Sequence, residues 1–123
     1  MEARVSSLAN GFLLRTKDDI HRLRELLDRA GNGDRMAFKE SERIAHSIHG
    51  AGAIFGFPEL SAAAGAIERL VEEIFAAPAD QHLSGGPAML QLSEFAQRLA
   101  QELEAAGRAA PADNGISQEG RLD

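Results

Sequence analysis

The sequence predicts an all-α protein that folds as an up-down-up-down antiparallel four-helix bundle, preceded by a short N-terminal helix or turn. Alanine, leucine, glutamate and arginine dominate the composition and β-branched residues are sparse, which favours helix. Apolar residues recur at three- and four-residue steps in four segments, and stretches that contain glycine or proline separate these segments. Most of these separating stretches are short, and short connections place consecutive helices side by side in antiparallel order.

The first two helices are bounded by residues that commonly end and begin helices. Residues 6–10 are predicted as the short N-terminal element, and Gly11 separates them from a first long helix over residues 12–30. Residues 31–33, Gly-Asn-Gly, favour the left-handed backbone that ends a helix, and Asp34 is a suitable N-cap for a second helix that runs to Phe55. The predicted inward face of the first helix consists of Leu13, Ile20, Leu23, Leu26, Leu27 and Ala30.

The third and fourth helices follow a turn at Gly56, Phe57 and Pro58, in which Pro58 suits the first helical position. We predict helices over residues 59–76 and 87–106, joined by a loop over 78–87. Their apolar faces comprise Leu60, Ala64, Ile67, Leu70, Val71 and Ile74 in the third helix, and Leu90, Leu92, Phe95, Leu99 and Leu103 in the fourth. Residues 1–107 are therefore predicted as one domain, and residues 108–123, which lack periodicity, as a disordered tail.

Composition excludes several classes of function. The absence of cysteine excludes disulfides and thiolate metal sites, and the net charge of −6, with scattered arginines and no Trp or Tyr, argues against nucleic-acid binding. No apolar run approaches the roughly 20 residues of a membrane span, and the N-terminus lacks the apolar region of a secretory signal. We therefore expect a cytoplasmic protein without membrane contact, and a monomer, because one chain can supply all four helices.

The segment 45–60 of the second helix places His46 beside two interior glycines. Each of Gly50 and Gly52 weakens a helix by about 1 kcal/mol relative to alanine, which suggests that another helix or a partner protein approaches closely there. Spacing alone leaves two interpretations open: a functional histidine, or a glycine helix contact beside an incidental surface histidine.

The pattern Ala45-His46-x-Ile48-x-Gly50, with Gly56 ten residues after His46 and Leu60 four residues later, resembles the histidine-containing phosphotransfer (HPt) domains. Their motif is Ala-His-x-Leu-Lys-Gly followed by an apolar residue, a glycine and a leucine-bearing helix. The resemblance extends loosely over residues 10–105 and departs at His49, where the family has lysine.

This resemblance implies that His46 accepts a phosphoryl group from a receiver-domain aspartate and passes it to another aspartate. Receiver domains of response regulators, and a hybrid sensor histidine kinase, are the implied partners. The receiver supplies Mg²⁺, and the chain needs no cofactor of its own. The chain is not expected to be a kinase, because it has no Gly-rich nucleotide loop.

Helical geometry suggests which residues surround His46. At about 100° per residue, Lys39, Arg43 and Gly50 share its stripe, so the two cations are candidates to neutralise phosphate and Gly50 leaves room for a docking partner. His49 either substitutes for the family lysine when it is protonated or is a surface replacement.

Folding the second and third helices about Phe57 pairs His46 with Glu68, eleven residues away on the other side of the turn. A carboxylate at this position could accept a hydrogen bond from one imidazole nitrogen and leave the other nitrogen as the nucleophile.

Two other functions remain possible from the sequence. A helical adaptor could share this fold and bind a signalling partner without carrying phosphate. Metal binding is a weaker alternative, because Asp18-x-x-His21 occurs once and His46 with His49 offers only two ligands. We predict no metal site.

Overall fold

The computed structural model describes residues 2–76 and 87–109, which form four helices: α1 (Glu2–Gly31), α2 (Arg35–Phe55), α3 (Pro58–Ala76) and α4 (Pro87–Ala109). Helix α2 packs between α1 and α3, and α4 packs on both α3 and α1, which closes the bundle. The predicted all-α, up-down-up-down four-helix bundle is confirmed.

The N-terminal part differs from the prediction, because residues 6–10 belong to the continuous helix α1 and do not form a separate helix or turn. Gly11 does not interrupt the helix, since an interior glycine costs only about 1 kcal/mol. Phe12 and Thr16 are buried directly after it, and the Thr16 hydroxyl donates a hydrogen bond of 2.7 Å to the Phe12 carbonyl. Burial of this turn offsets the weak propensity at Gly11.

The predicted helix boundaries around the two tight turns are confirmed. The Asp34 side chain accepts a hydrogen bond of 3.2 Å from the Ala37 backbone N–H and caps α2. Gly56 ends α2 with φ of 84°, a left-handed conformation that glycine adopts without steric cost. Pro58 is the first residue of α3.

The core matches the predicted apolar faces of α1 and α3, all of whose members are buried. In α4, Leu92 and Leu99 are buried, but Leu90 is 67% exposed, so its assignment to the core is wrong. Two residues of helix turn about 200°, which places Leu90 on the side opposite Leu92.

The helix also continues through Arg108 and Ala109, so a tail that starts at 108 is wrong for these two residues.

The rest of the predicted tail, residues 110–123, and residues 78–86 of the predicted loop lie outside the described residues. Within the described part of the chain, no helix combines the length and the apolar character needed to cross a membrane.

Aromatic packing holds the turn between α2 and α3 against α1. The Phe12 ring stacks on Phe55 and Phe57, with ring centroids 5.0 Å and 5.8 Å apart. Because these rings come from both sides of the turn, their contact with α1 fixes the end of the α2–α3 hairpin.

Close approach of the backbones sets the register of α2 against α3. A Cβ added at Gly52 would lie 3.2 Å from the Cα of Ser61, so only glycine fits here without a shift of the helices. One turn earlier on α2, the Ser61 hydroxyl donates a hydrogen bond of 2.6 Å to the His49 carbonyl. The two contacts lock the helices side by side.

The glycines of α2 provide a matched test of this packing. We predict that Gly52→Ala lowers the free energy of unfolding by about 1 kcal/mol, because overpacking against backbone outweighs the gain in helix propensity. Gly50→Ala should instead raise it by roughly 0.5–1 kcal/mol, since a Cβ at Gly50 meets nothing within 4 Å. Urea unfolding of both variants measures the difference, and equal effects would contradict the close contact.

Candidate functional site

The site lies on the exposed edge of the α2–α3 hairpin, where the antiparallel register pairs residues of the two helices one turn at a time. From the turn outward, the pairs are Gly52 with Ser61, His49 with Gly65, His46 with Glu68 and Glu42 with Glu72. The structure thus places Glu68 opposite His46, where the hairpin geometry predicts it.

Glu68 accepts a hydrogen bond from His46. The distance from His46 Nδ1 to Glu68 Oε2 is 2.6 Å, and the His46 side chain is 71% exposed while that of Glu68 is 15% exposed. Because a carboxylate only accepts, Nδ1 carries the proton, and in the neutral ring the lone pair resides on Nε2. The contact therefore leaves Nε2 as the nitrogen with an available lone pair.

Glu68 also binds His49, which makes it a bridge between the two histidines. The distance from His49 Nδ1 to Glu68 Oε1 is 3.1 Å, so each carboxylate oxygen accepts from one ring. The His49 ring is half-exposed, and its Nε2 lies 3.3 Å from the position that a Cβ at Gly65 would occupy. The ring therefore crosses from α2 onto α3.

The two imidazoles determine the charge state of Glu68. Burial on its own raises the pKa of this carboxyl, but the hydrogen bonds and the positive charge available from His46 and His49 outweigh burial and lower the pKa below its ordinary value. Glu68 is thus ionised at neutral pH, as an acceptor of two N–H groups must be.

Two carboxylates, Glu42 and Glu72, form an acidic pair one helical turn from His46. Burial, a hydrogen bond with Glu72 and the negative charges of Glu72 and Glu68 all raise the pKa of Glu42, and Lys39 lowers it only in part. The predicted basic stripe along α2 is therefore flanked by carboxylates, and Lys39 offsets their negative charge only in part.

Arg43 is directed away from the site. Its guanidinium lies 2.9 Å from Glu40 Oε2, and Arg22 of α1 approaches the same oxygen to 3.7 Å. The Arg43 side chain is exposed, so this ion pair is weak and the side chain is able to leave it. Of the predicted phosphate-neutralising residues, only His49 touches the His46–Glu68 pair.

The two predicted glycines occupy the positions expected of them. Gly50 lies one turn after His46 and faces open space, and Gly56 forms the turn below it. Ile54, further along the same helix, is 81% exposed. This side of α2 therefore presents little steric bulk and one apolar side chain.

Sequence reasoning did not identify Ser61 and Gly65 as part of the site. Ser61 holds the His49 backbone, and Gly65 provides the space for its ring. An interior glycine three residues before Glu68 was the available signal, because a glycine in a helix often marks a close approach.

Among the residues that the structure describes, no three His, Asp or Glu side chains are grouped in a way that could hold a metal ion. His21 pairs with Glu25 at 3.5 Å on the exposed face of α1, whereas His46 lies on α2.

Comparison with known families matches the chain to the Hpt domain over residues 7–109. No curated protein and no solved structure matches the chain. Hpt domains carry phosphoryl groups on histidine in phosphorelays, where they interact with receiver domains and histidine kinases, and they are carriers rather than kinases. The match covers most of the chain and all four helices of the bundle, so this protein belongs to the Hpt domain family.

Proposed function

We propose that this protein is a histidine phosphotransfer protein of a two-component phosphorelay in which His46 accepts a phosphoryl group from a receiver-domain aspartate and passes it to another. The observation that carries the proposal is the hydrogen bond of 2.6 Å from His46 Nδ1 to Glu68, on a histidine whose side chain is 71% exposed. It orients the ring and leaves Nε2 accessible to a partner.

The transfer step follows from this geometry. The lone pair on His46 Nε2 attacks phosphorus, the N–P bond forms, and the bond from phosphorus to the aspartate oxygen breaks. The aspartate leaves as a carboxylate, and no proton has to be moved. The ring becomes cationic while it retains the proton on Nδ1, and the Glu68 carboxylate stabilises that positive charge. The reverse reaction uses the same contacts.

The partner supplies the remaining chemistry. Phosphoryl transfer depends mainly on positioning and on neutralising charge, and a receiver domain brings its aspartate and the Mg²⁺ bound beside it. This chain contributes the nucleophile and the surface around it, and it requires no cofactor. One chain supplies all four helices, so the protein acts as a monomer.

The surface beyond His46 supports docking of a receiver. Gly50 leaves open space next to the histidine, and Ile54 offers an exposed apolar contact on the same helix. A shallow pocket between α2 and α3 adjoins this surface, and His49, Ala53, Ser61 and Arg69 are among the residues that line it.

The first prediction is that His46→Gln abolishes labelling by a receiver domain phosphorylated with ³²P-acetyl phosphate, because glutamine has no nucleophilic nitrogen. His21→Gln, the loss of an exposed histidine on α1, should label like the wild type. The wild-type adduct should be acid-labile and alkali-stable. Labelling that persists in His46→Gln would show that another residue carries the phosphate, and a wild type that binds the receiver without labelling would be an adaptor.

The second prediction concerns the carboxylate. Glu68→Gln should slow phosphate acceptance about 10- to 100-fold, since the amide oxygen still accepts from His46 but has no charge to stabilise the cationic ring, and a hydrogen bond to a charged group is worth about 1.5–3 kcal/mol. Glu73→Gln, an exposed change on the same helix, should leave the rate unaltered. Rapid-quench kinetics at saturating receiver measures both variants, and equal rates would remove Glu68 from the mechanism.

The third prediction tests the open space at Gly50. Gly50→Leu should reduce transfer at least about 10-fold by blocking the approach of the receiver, although leucine is the better helix former. Gly50→Ala, which adds only one methyl group into space that is free to 4 Å, is the matched control and should transfer nearly normally. A folded Gly50→Leu protein with an unchanged rate would contradict the steric role.

A further inference from the structure

His49 is attached to α3 at both its backbone and its side chain. The carbonyl oxygen accepts the Ser61 hydroxyl at 2.6 Å, and ring Nδ1 donates to Glu68 at 3.1 Å. Few torsions separate these two anchors, so the ring has little freedom to turn toward another group.

The far edge of the His49 ring is also enclosed. A Cβ at Gly65 would lie 3.3 Å from His49 Nε2 and 3.4 Å from a terminal nitrogen of Arg69. The ring thus lies across the glycine, which the Arg69 side chain also approaches. Neither nitrogen is directed at His46: one binds Glu68 and the other lies against α3.

The hydrogen bond from His46 alone does not fix the position of the Glu68 carboxylate. Its side chain has three torsions, and the hydrogen bond from His46 fixes only one of its two oxygens. The negative charge of Glu42 on α2 acts against that of Glu68, and Glu42 also interacts with Glu72 of α3. Repulsion from Glu42 favours movement of a Glu68 side chain held at one oxygen, and the His49 N–H holds the second oxygen in place.

We propose that His49 is a positioning residue that acts through Glu68: its Nδ1–H fixes the carboxylate which in turn orients the His46 ring. This inference rests on the proposed function, and it assigns residue 49 a role different from neutralising the phosphoryl group. A lysine at this position is a flexible point charge, whereas the imidazole donates along one direction that its two torsions determine. Donor geometry, and not positive charge, is then what residue 49 contributes.

Two substitutions separate geometry from charge. His49→Ala removes the donor, whereas His49→Asn keeps an N–H the same number of bonds from Cα as Nδ1 and can never become cationic. We expect His49→Ala to lower the rate of phosphate acceptance at saturating receiver about 10-fold, with the half-saturating receiver concentration unchanged. His49→Asn should remain within about threefold of the wild type. Circular dichroism checks that both variants fold.

A spectroscopic measurement tests the same inference without any transfer reaction. In ¹⁵N-histidine-labelled protein at pH 8, the two ring nitrogens of His46 report which one carries the proton. The wild type and His49→Asn should show the Nδ1–H form, whereas His49→Ala should show a mixture of the two tautomers because the carboxylate is no longer held.

The outcomes are distinct. Wild-type rate and tautomer in His49→Ala would overturn the inference, and so would a His49→Asn variant as slow as His49→Ala, because charge or the Nε2 atom would then be what matters. A wild type that takes no label would refute the proposed function, while the tautomers of His46 would still show whether His49 orients it.

Discussion

Helices α2 and α3 approach each other closely where Gly52 of α2 meets the backbone of Ser61, and the functional site depends on this contact. It sets the register of the hairpin, and the register determines that His49 lies over Gly65 and that His46 lies opposite Glu68. A shift of one residue would rotate Glu68 about 100° away from α2 and leave His46 without its acceptor. The packing of two small residues therefore determines the pairing of His46 with Glu68, about three helical turns away from Gly56.

Within this register, one carboxylate serves two imidazoles. Glu68 is held ionised by two N–H donors, and the ionised carboxylate in turn requires the proton of His46 to be on Nδ1. The nucleophile is thereby defined by a hydrogen bond on the opposite side of its ring. Exposure of His46 and burial of Glu68 are complementary: the proposed reacting group is accessible to a partner protein, while the carboxylate that orients it is largely shielded from solvent.

Much of this arrangement is predictable from sequence because it follows from periodicity and from turn chemistry. The apolar steps define four helices, Asp34 and Gly56 define where α2 begins and ends, and counting from Phe57 pairs His46 with Glu68. Propensity misjudged Gly11, because burial of the following turn compensates for a glycine inside a helix. Apolar periodicity misassigned Leu90, whose side chain faces solvent.

The contacts of individual side chains were less predictable. Counting residues around the helix correctly places Arg43 on the same side of α2 as His46. Its guanidinium nevertheless pairs with Glu40, because several charged partners lie within reach of a long side chain. The same limitation applies to His49, which a family resemblance assigns to phosphate and which the structure attaches to Glu68. Only the space left by Gly65 and the bond from Ser61 explain that choice, and both depend on tertiary packing.

The proposed mechanism places the phosphoryl group on one nitrogen of one histidine, and magnetic resonance of the phosphorylated protein tests this most directly. In ¹⁵N-histidine-labelled protein phosphorylated by a receiver domain, the coupling between ³¹P and ¹⁵N identifies the nitrogen that carries phosphorus. We expect coupling to Nε2 of His46, with the proton retained on Nδ1. Phosphorus on Nδ1 of His46, or on either nitrogen of His49, would contradict it.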